Sequence, residues 1–363
     1  MYRKSFRLTN QEIDDAFATR QFRLVFQPKI DLHSHELAGV ESFARWQHPQ
    51  FGVIPPALFL PVLARQGRNQ ELTRFVLAEA IAQLVRARAT NQSYTVSVNV
   101  APEELTDGSL PISIRLALNT ADLDPSRLVI DLPERGLAAD PDRAADTIHA
   151  LAEIGVGLAM ECAQEPLMDF SAADPKTLDP SAFNEFKIGG RAIIQFASRI
   201  EGTGLGLMRS RLEYAKAHGL RTTAVGAETA ETVKLLPDLG FELAQGNAIS
   251  PPVTPQSLID FDANASIAAL MPDAEAAGTG KPDLEDFHAP SETAEEGATR
   301  PQPRIRVRRG KARVELQVAD EQTGTTHIVK LPGPGDAEDH EQTSRTLGFL
   351  ARLQNRIGRV LQN

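Results

Sequence analysis

The sequence predicts an α/β chain whose main body is a TIM-like (β/α) barrel, and three observations predict it. From about residue 15 to 262, short runs rich in β-branched residues alternate with longer amphipathic segments. Eight such runs fit into about 250 residues, the length over which eight βα units close on themselves. The segments between them carry apolar residues at three- and four-residue spacing, as helices that cover a sheet do. An open doubly wound sheet is the alternative packing of the same units.

Taken in order, the strand candidates are LVFQPKIDL, LAGVESFARW, YTVSVNV, RLVIDLPE, GVGLAMEC, FNEFKIGG, RTTAVGA and FELAQGNAI. Residues 72–89, 142–154, 206–217 and 229–239 read as helices between them. Residues 1–14 form a separate N-terminal segment ahead of the barrel at 15–262. Residues 263–303 change character: positions 271–299 hold eight acidic side chains against one lysine, too little apolar surface to offset the entropy of ordering, so a flexible acidic linker is expected. Residues 304–363 then read as a small β-meander, RIRVRRGKARVELQVADEQTGTTHIVKL, followed by a helix at 341–361. In that helix Leu350, Leu353, Ile357 and Val360 make a narrow apolar stripe.

An apolar fraction of 42% in 363 residues supports a sizeable core. The sequence has no apolar run of about 18 residues, and its charged start has no following apolar stretch, so no membrane span or signal peptide is expected and the cytoplasm is the expected location. One cysteine, Cys162, excludes an intramolecular disulfide and a multi-cysteine zinc cluster. A net charge of -10 argues against a whole surface built for nucleic acid, although Arg300, Arg304, Arg306, Arg308, Arg309, Lys311 and Arg313 concentrate basic charge near the C-terminus.

Six motifs carry a more specific signal. Phe26-Gln27-Pro28, GVESFARWQHP at 39–49 and SVNVAP at 97–102 open the barrel segment; VIDLPE at 129–134, FKIGG at 186–190 and QGNAISPP at 245–252 close it. In order and spacing they resemble the EAL-domain phosphodiesterases, whose name-giving triplet here reads Glu41-Ser42-Phe43. The resemblance implies an EAL-type barrel with one irregular strand. For active members it implies two divalent metals held by carboxylates and an asparagine, with a bridging water that attacks a phosphorus of cyclic di-GMP. Such metals want hard oxygen ligands, and two of them need several carboxylates to offset their mutual repulsion.

Carried over position by position, Glu41 stands at the first metal-ligand glutamate and Asn99 at the ligand asparagine. Asp131 occupies the next glutamate position and is one methylene shorter, which leaves it about 1 to 1.5 Å short where metal geometry tolerates a few tenths of an ångström. The family's glycine-rich paired-aspartate loop reads Glu161-Cys162-Ala163-Gln164-Glu165-Pro166, with a soft thiol for the second aspartate and a proline for a glycine. Lys187 keeps the lysine that positions the attacking water. The aspartate two residues later is Gly189, and the last acidic ligand position is Val225; Glu228 is retained in a supporting place. The resemblance therefore implies a degenerate member that is not an enzyme and holds no metal or cofactor, with Glu41, Asn99, Asp131, Glu161 and Lys187 as vestiges.

Plainer readings stand beside these. Glu41 and Asn99 can simply hydrogen-bond each other, Lys187 can pair with Glu41 or Glu161, Cys162 can be a small semi-buried hydrophobe, His33 and His35 can lie in a solvated turn, and Trp46 can be core. Arg45 stands where the family motif brings an arginine to a phosphate of the dinucleotide. With Gln27, Asn99 and Gln245 it forms the ligand set expected of a metal-independent cyclic di-GMP receptor, against which Glu161 and Glu165 place negative charge beside a dianion. Ranked ahead of that receptor is a regulator acting through an unidentified partner protein, in bacterial motility, attachment or cell-cycle control. Weak phosphodiesterase activity ranks below both. So does nucleic-acid binding, since no motif and no interleaved aromatics frame the basic segment. The stripe at 350–360 must be covered by the barrel, by the meander or by another chain, the last making a homo-oligomer.

Overall fold

The computed structural model describes residues 5–6, 8–106, 108–162, 179–189, 203–270, 304–310, 313–320, 325–330 and Leu353. They divide into two compact units, Phe22–Met271 with Asp339–Asn363, and Met1–Gln21 with Pro272–Glu338.

The first unit is a closed barrel. Its strands are β2 (Phe22–Asp31), β3 (Leu37–His48), β5 (Thr95–Asn99), β6 (Leu128–Pro133), β7 (Gly157–Glu161), β8 (Glu185–Gly189), β9 (Arg221–Val225) and β10 (Leu243–Gln245), with a short β4 (Gly52–Ile54) hairpinned onto β3 outside the ring. β3 and β5 through β10 run parallel to one another. β2 is antiparallel to both of its neighbours and closes the ring by setting Leu243 opposite Asp31 and Ala244 opposite Ile30. That pairing replaces the open-sheet alternative. The sharp return from β2 to β3 is held by Asp31, whose carboxylate accepts from the amides of His33 and Ser34 at 2.9 and 3.0 Å, and by His35 at φ 59°. His33 is exposed there.

Helices α2 (Pro56–Arg65), α3 (Asn69–Ala89), α4 (Ser109–Ala121), α5 (Glu134–Ala139), α6 (Pro141–Ile154), α7 (Thr203–Ala217), α8 (Ala230–Leu239) and α9 (Ala263–Leu270) complete this unit. Caps start two of them: Asp140 accepts from the Arg143 amide at 3.3 Å and Thr229 from the Thr232 amide at 3.2 Å. α2, α4, α5 and α9 were not read from the sequence. PALFLPVLAR is apolar almost all round and SLPISIRLALNTA mixes β-branched residues into its stripe, so neither shows a clean helical period. Trp46 is core, with ring centroids 5.3 Å from Phe22 and 6.1 Å from Phe59.

In the second unit, the expected meander is present as β11 (Arg304–Gly310), β12 (Arg313–Asp320) and β13 (Thr325–Lys330), and β1 (Ser5–Phe6) adds to it in parallel with β13. The N-terminal segment thus pairs with a strand more than 300 residues away, a partnership without local signal in the sequence. Helix α1 (Asn10–Ala18), fixed by a capping box between Thr9 and Glu12, runs across the boundary drawn at residue 15. Likewise α9 lies in the first part of the segment read as linker. The loop positions 163–166, residues 271–303, and the C-terminal helix apart from Leu353 fall outside the described residues. Leu353 is helical and has no exposed surface.

Candidate functional site

Alternate side chains of a barrel strand point inward, and in this barrel the inward set is unusually charged. Glu41 from β3 is its hub. One carboxylate oxygen, Oε1, accepts from Asn99 Nδ2 at 2.7 Å; the other, Oε2, accepts from Lys187 Nζ at 2.6 Å and from Gln245 Nε2 at 3.0 Å. Lys187 Nζ donates equally to Asp131 Oδ2, at 2.6 Å. Gln245 also donates to Gln27 Oε1 at 3.1 Å, and Gln27 donates to the Ser250 carbonyl at 3.1 Å. Six of the positions singled out in the sequence, Gln27, Glu41, Asn99, Asp131, Lys187 and Gln245, therefore form one connected network, with Gln27 on the antiparallel β2 and the others on parallel strands.

Glu41, Asp131 and Lys187 are all buried, so two carboxylates share one ammonium in a medium of low dielectric. Burial raises the Asp131 carboxyl to about 7 against the pull of Lys187, and the charge of Glu41 adds to the rise. Burial acts the same way on Glu41, but Lys187 and the donated hydrogen bonds outweigh it and its pKa ends below the usual value. Lys187 itself is held charged by Asp131 and Glu41 despite its burial. Two buried oxygens of the network, Asp131 Oδ1 and Gln245 Oε1, have no hydrogen-bond partner.

Lys187 pairs with Glu41, as one of the two readings had it, and not with Glu161. Glu161 is level with Lys187 on the neighbouring strand but is exposed at the strand end, while the lysine reaches across the barrel. Cys162 is free and buried; burial pushes its thiol well up, which removes thiolate reactivity. Arg45 lies two pleats beyond Glu41 on the same face of β3, about 13 Å along the strand. It is half-buried, rests 5.7 Å from the Phe43 ring centroid and donates to the Ala44 carbonyl at 3.0 Å, and no carboxylate pairs with it among the described residues. Glu228 accepts from Asn247 at 2.8 Å.

On the far wall, Gly189 and Val225 stand opposite each other on β8 and β9. A Cβ at 189 would come within 2.9 Å of the Val225 Cβ, so the close approach of these strands needs the glycine. Two buried ion pairs escaped the sequence reading. Lys29 donates to Glu185 Oε1 at 2.7 Å, with Thr223 donating to the same oxygen at 2.6 Å. Arg211 of α7 meets Glu134 at 3.2 Å. Their partners lie 156 and 77 residues apart, and only the inward parity of Lys29 and Glu185 hints at the first.

Fold and site define a (β/α)-barrel protein whose polar constellation lies towards the C-terminal ends of the strands, where barrel proteins carry their function. The chain belongs to the EAL domain family, whose model matches residues 10–252. It is similar to the cyclic di-GMP phosphodiesterase PA2567 of Pseudomonas aeruginosa, with 29% identity over 262 residues that cover 69% of this chain and 41% of the relative. It is similar also to the cyclic di-GMP phosphodiesterase RocR of the same organism, with 28% identity over 243 residues, 66% of this chain and 60% of the relative. The chain thus spans less than two thirds of the length of these relatives. Among solved structures, the PaMucR phosphodiesterase in complex with c-di-GMP superposes with a TM-score of 0.61 at 26% identity, over 68% of this chain and 98% of that one. The FimX EAL domain of Pseudomonas aeruginosa bound to c-di-GMP shares the fold, with a TM-score of 0.58 at 23% identity over 69% and 98%. No helix among the described residues is long and apolar enough to cross a membrane.

Proposed function

We propose that this chain is a non-catalytic EAL-domain signalling regulator that works through protein-protein interaction, in the cytoplasm of a bacterium and in the control of motility, attachment or the cell cycle. The observation that carries the reading is the Lys187 ammonium seated between Glu41 and Asp131, 2.6 Å from each. The donors among the described residues argue against a pair of divalent cations. Glu41, Asn99 and Asp131 supply oxygens on one wall; on the other, Gly189 and Val225 supply none and Cys162 is a buried neutral thiol. Among the described residues no group of three or more His, Cys, Asp or Glu side chains is gathered as metal ligands would be. The orphaned acceptors of the network, Asp131 Oδ1 and Gln245 Oε1, are two, short of what one octahedral cation needs.

Incubation of the purified chain with cyclic di-GMP and Mg²⁺ or Mn²⁺ tests this: no linear dinucleotide should form above background. Steady turnover that Glu41→Ala abolishes would overturn it. A second reading, a metal-independent receptor for cyclic di-GMP, is favoured by the half-buried Arg45, without a carboxylate partner among the described residues, on the same strand as Glu41, around which the amides of Gln27, Asn99 and Gln245 gather. Calorimetric titration with the dinucleotide, with and without a chelator, separates the two.

A further inference from the structure

The four-stranded sheet of the second unit sorts its residues by strand parity. Pairing between β11 and β12 sets Arg304 opposite Ala319, Arg306 opposite Gln317, Arg308 opposite Glu315 and Gly310 opposite Arg313. Between β12 and β13, Glu315 stands opposite Lys330 and Gln317 opposite Ile328. Residues opposite each other share a face, so one face carries Arg304, Arg306, Arg308, Arg313 and Lys330 against a single acidic residue, Glu315. The other face takes Ile305, Val307, Val314, Leu316, Val318 and Val329. Charged and apolar positions are thus segregated, which the bare run of basic residues in the sequence does not show.

The charge of this sheet runs against that of the chain. The whole carries -10, whereas residues 304–330 hold seven basic residues and three acidic ones. β11 is an outer strand, with β12 as its only neighbour among the described residues. Along it Arg304, Arg306 and Arg308 recur at about 6.8 Å, twice the roughly 3.4 Å step between phosphates along one strand of a DNA duplex. A guanidinium matches a phosphate with paired N–H donors. An anionic bilayer would attract the same charges, but stable seating there draws on aromatic or leucine side chains, and among the described residues this face has neither. Stacking on unpaired bases needs aromatics too. We propose that the basic face of this sheet binds double-stranded DNA through its phosphates, without reading sequence. The proposal goes beyond the regulator reading and does not depend on the barrel site.

Fluorescence anisotropy of a labelled DNA duplex, titrated with the full chain between about 50 and 200 mM salt, tests it. Each phosphate engaged adds about 0.9 to the fall of log K with log salt, so the five basic residues should give a slope of about -4.5. Arg304→Gln, Arg306→Gln and Arg308→Gln together should weaken binding at least about tenfold and flatten the slope by about 2.7. The sharper comparison is between neighbours on β11 that lose the same charge from opposite faces. Arg308→Gln should take about 0.9 from the slope and Arg309→Gln nothing, in variants whose circular dichroism matches the wild type. Equal effects at 308 and 309 overturn the proposal, because a basic segment without faces would give them. So does a duplex left unbound at about 50 mM salt, a single strand bound as tightly as the duplex, or binding confined to vesicles of anionic lipid.

Discussion

Lys187 on β8 and Asp131 on β6 meet at 2.6 Å across an intervening strand, and Lys187 makes a second contact of the same length to Glu41 on β3. One ammonium thus draws three strands of the ring together at a depth where water does not screen it.

Removing that ammonium leaves two buried carboxylates facing each other. Breaking a buried ion pair from one side typically costs about 3–5 kcal/mol. Lys187→Met, which keeps much of the volume, should therefore lower the stability of the barrel by about that amount, read as a lower midpoint in urea denaturation at pH 7. A midpoint within error of wild type would mean that the lysine is solvated in solution.

The pH dependence follows from the shift of Asp131. Its carboxyl is raised to about 7 in the folded chain from 3.8, so between these values the folded state holds a proton that the unfolded state has released. The contribution is fully present below about pH 4 and is lost as pH rises to about 7. Glu41, lowered, has the opposite sign but acts only below its ordinary value of 4.5, and Lys187, raised, does not titrate in this window. Asp131→Asn should accordingly flatten the fall in stability between pH 4.5 and 7, by an amount on the order of a few kcal/mol, in denaturation curves measured across that range. Parallel curves for the two proteins would refute the assignment.

The pair Gly189 and Val225 gives a steric prediction. A Cβ at 189 lies 2.9 Å from that of Val225, closer than packed carbons sit. Gly189→Ala should cost about 1–3 kcal/mol by overpacking, and the added cost should shrink when Val225→Gly is present in the same chain. Additive costs in the double-mutant cycle would show that the strands simply move apart.

Much of this architecture is legible in the sequence because a barrel strand alternates. All eight ring strands coincide with runs read from the sequence, although β7 (GLAME) and β10 (LAQ) hold no β-branched residue, and the resemblance to the EAL family singles out Gln27, Glu41, Asn99, Lys187 and Gln245. The hydrogen bond between Asn99 and Glu41 joins two of them. What the sequence hides is register and reach. Glu161 is the strand neighbour of Lys187, yet a lysine side chain is long enough to cross the lumen to Asp131, and no local pattern tells which carboxylate it chooses. The pairs Lys29–Glu185 and Arg211–Glu134 join distant segments for the same reason. α2 hides behind nearly continuous apolar sequence, and α4 behind the β-branched residues set into its stripe.

The C-terminal stripe provides the last test. An isolated helix of about 20 residues is marginal in water, so Leu350, Leu353, Ile357 and Val360 need cover. Leu353 has none of its surface exposed in the single chain, which favours cover from within over cover by a second copy. Burying a leucine is worth about 1.5–3 kcal/mol, and a carboxylate in its place adds the cost of desolvation. Leu353→Asp should then lower the thermal midpoint of the full chain and leave its mass by light scattering unchanged. An association helix gives the reverse pattern. In that case Leu353→Asp with Ile357→Asp, or truncation near residue 300, lowers the mass or abolishes capture of a partner protein, while the barrel melts where it did before. The two outcomes exclude each other because a side chain already covered by its own chain has no surface left to bury against another.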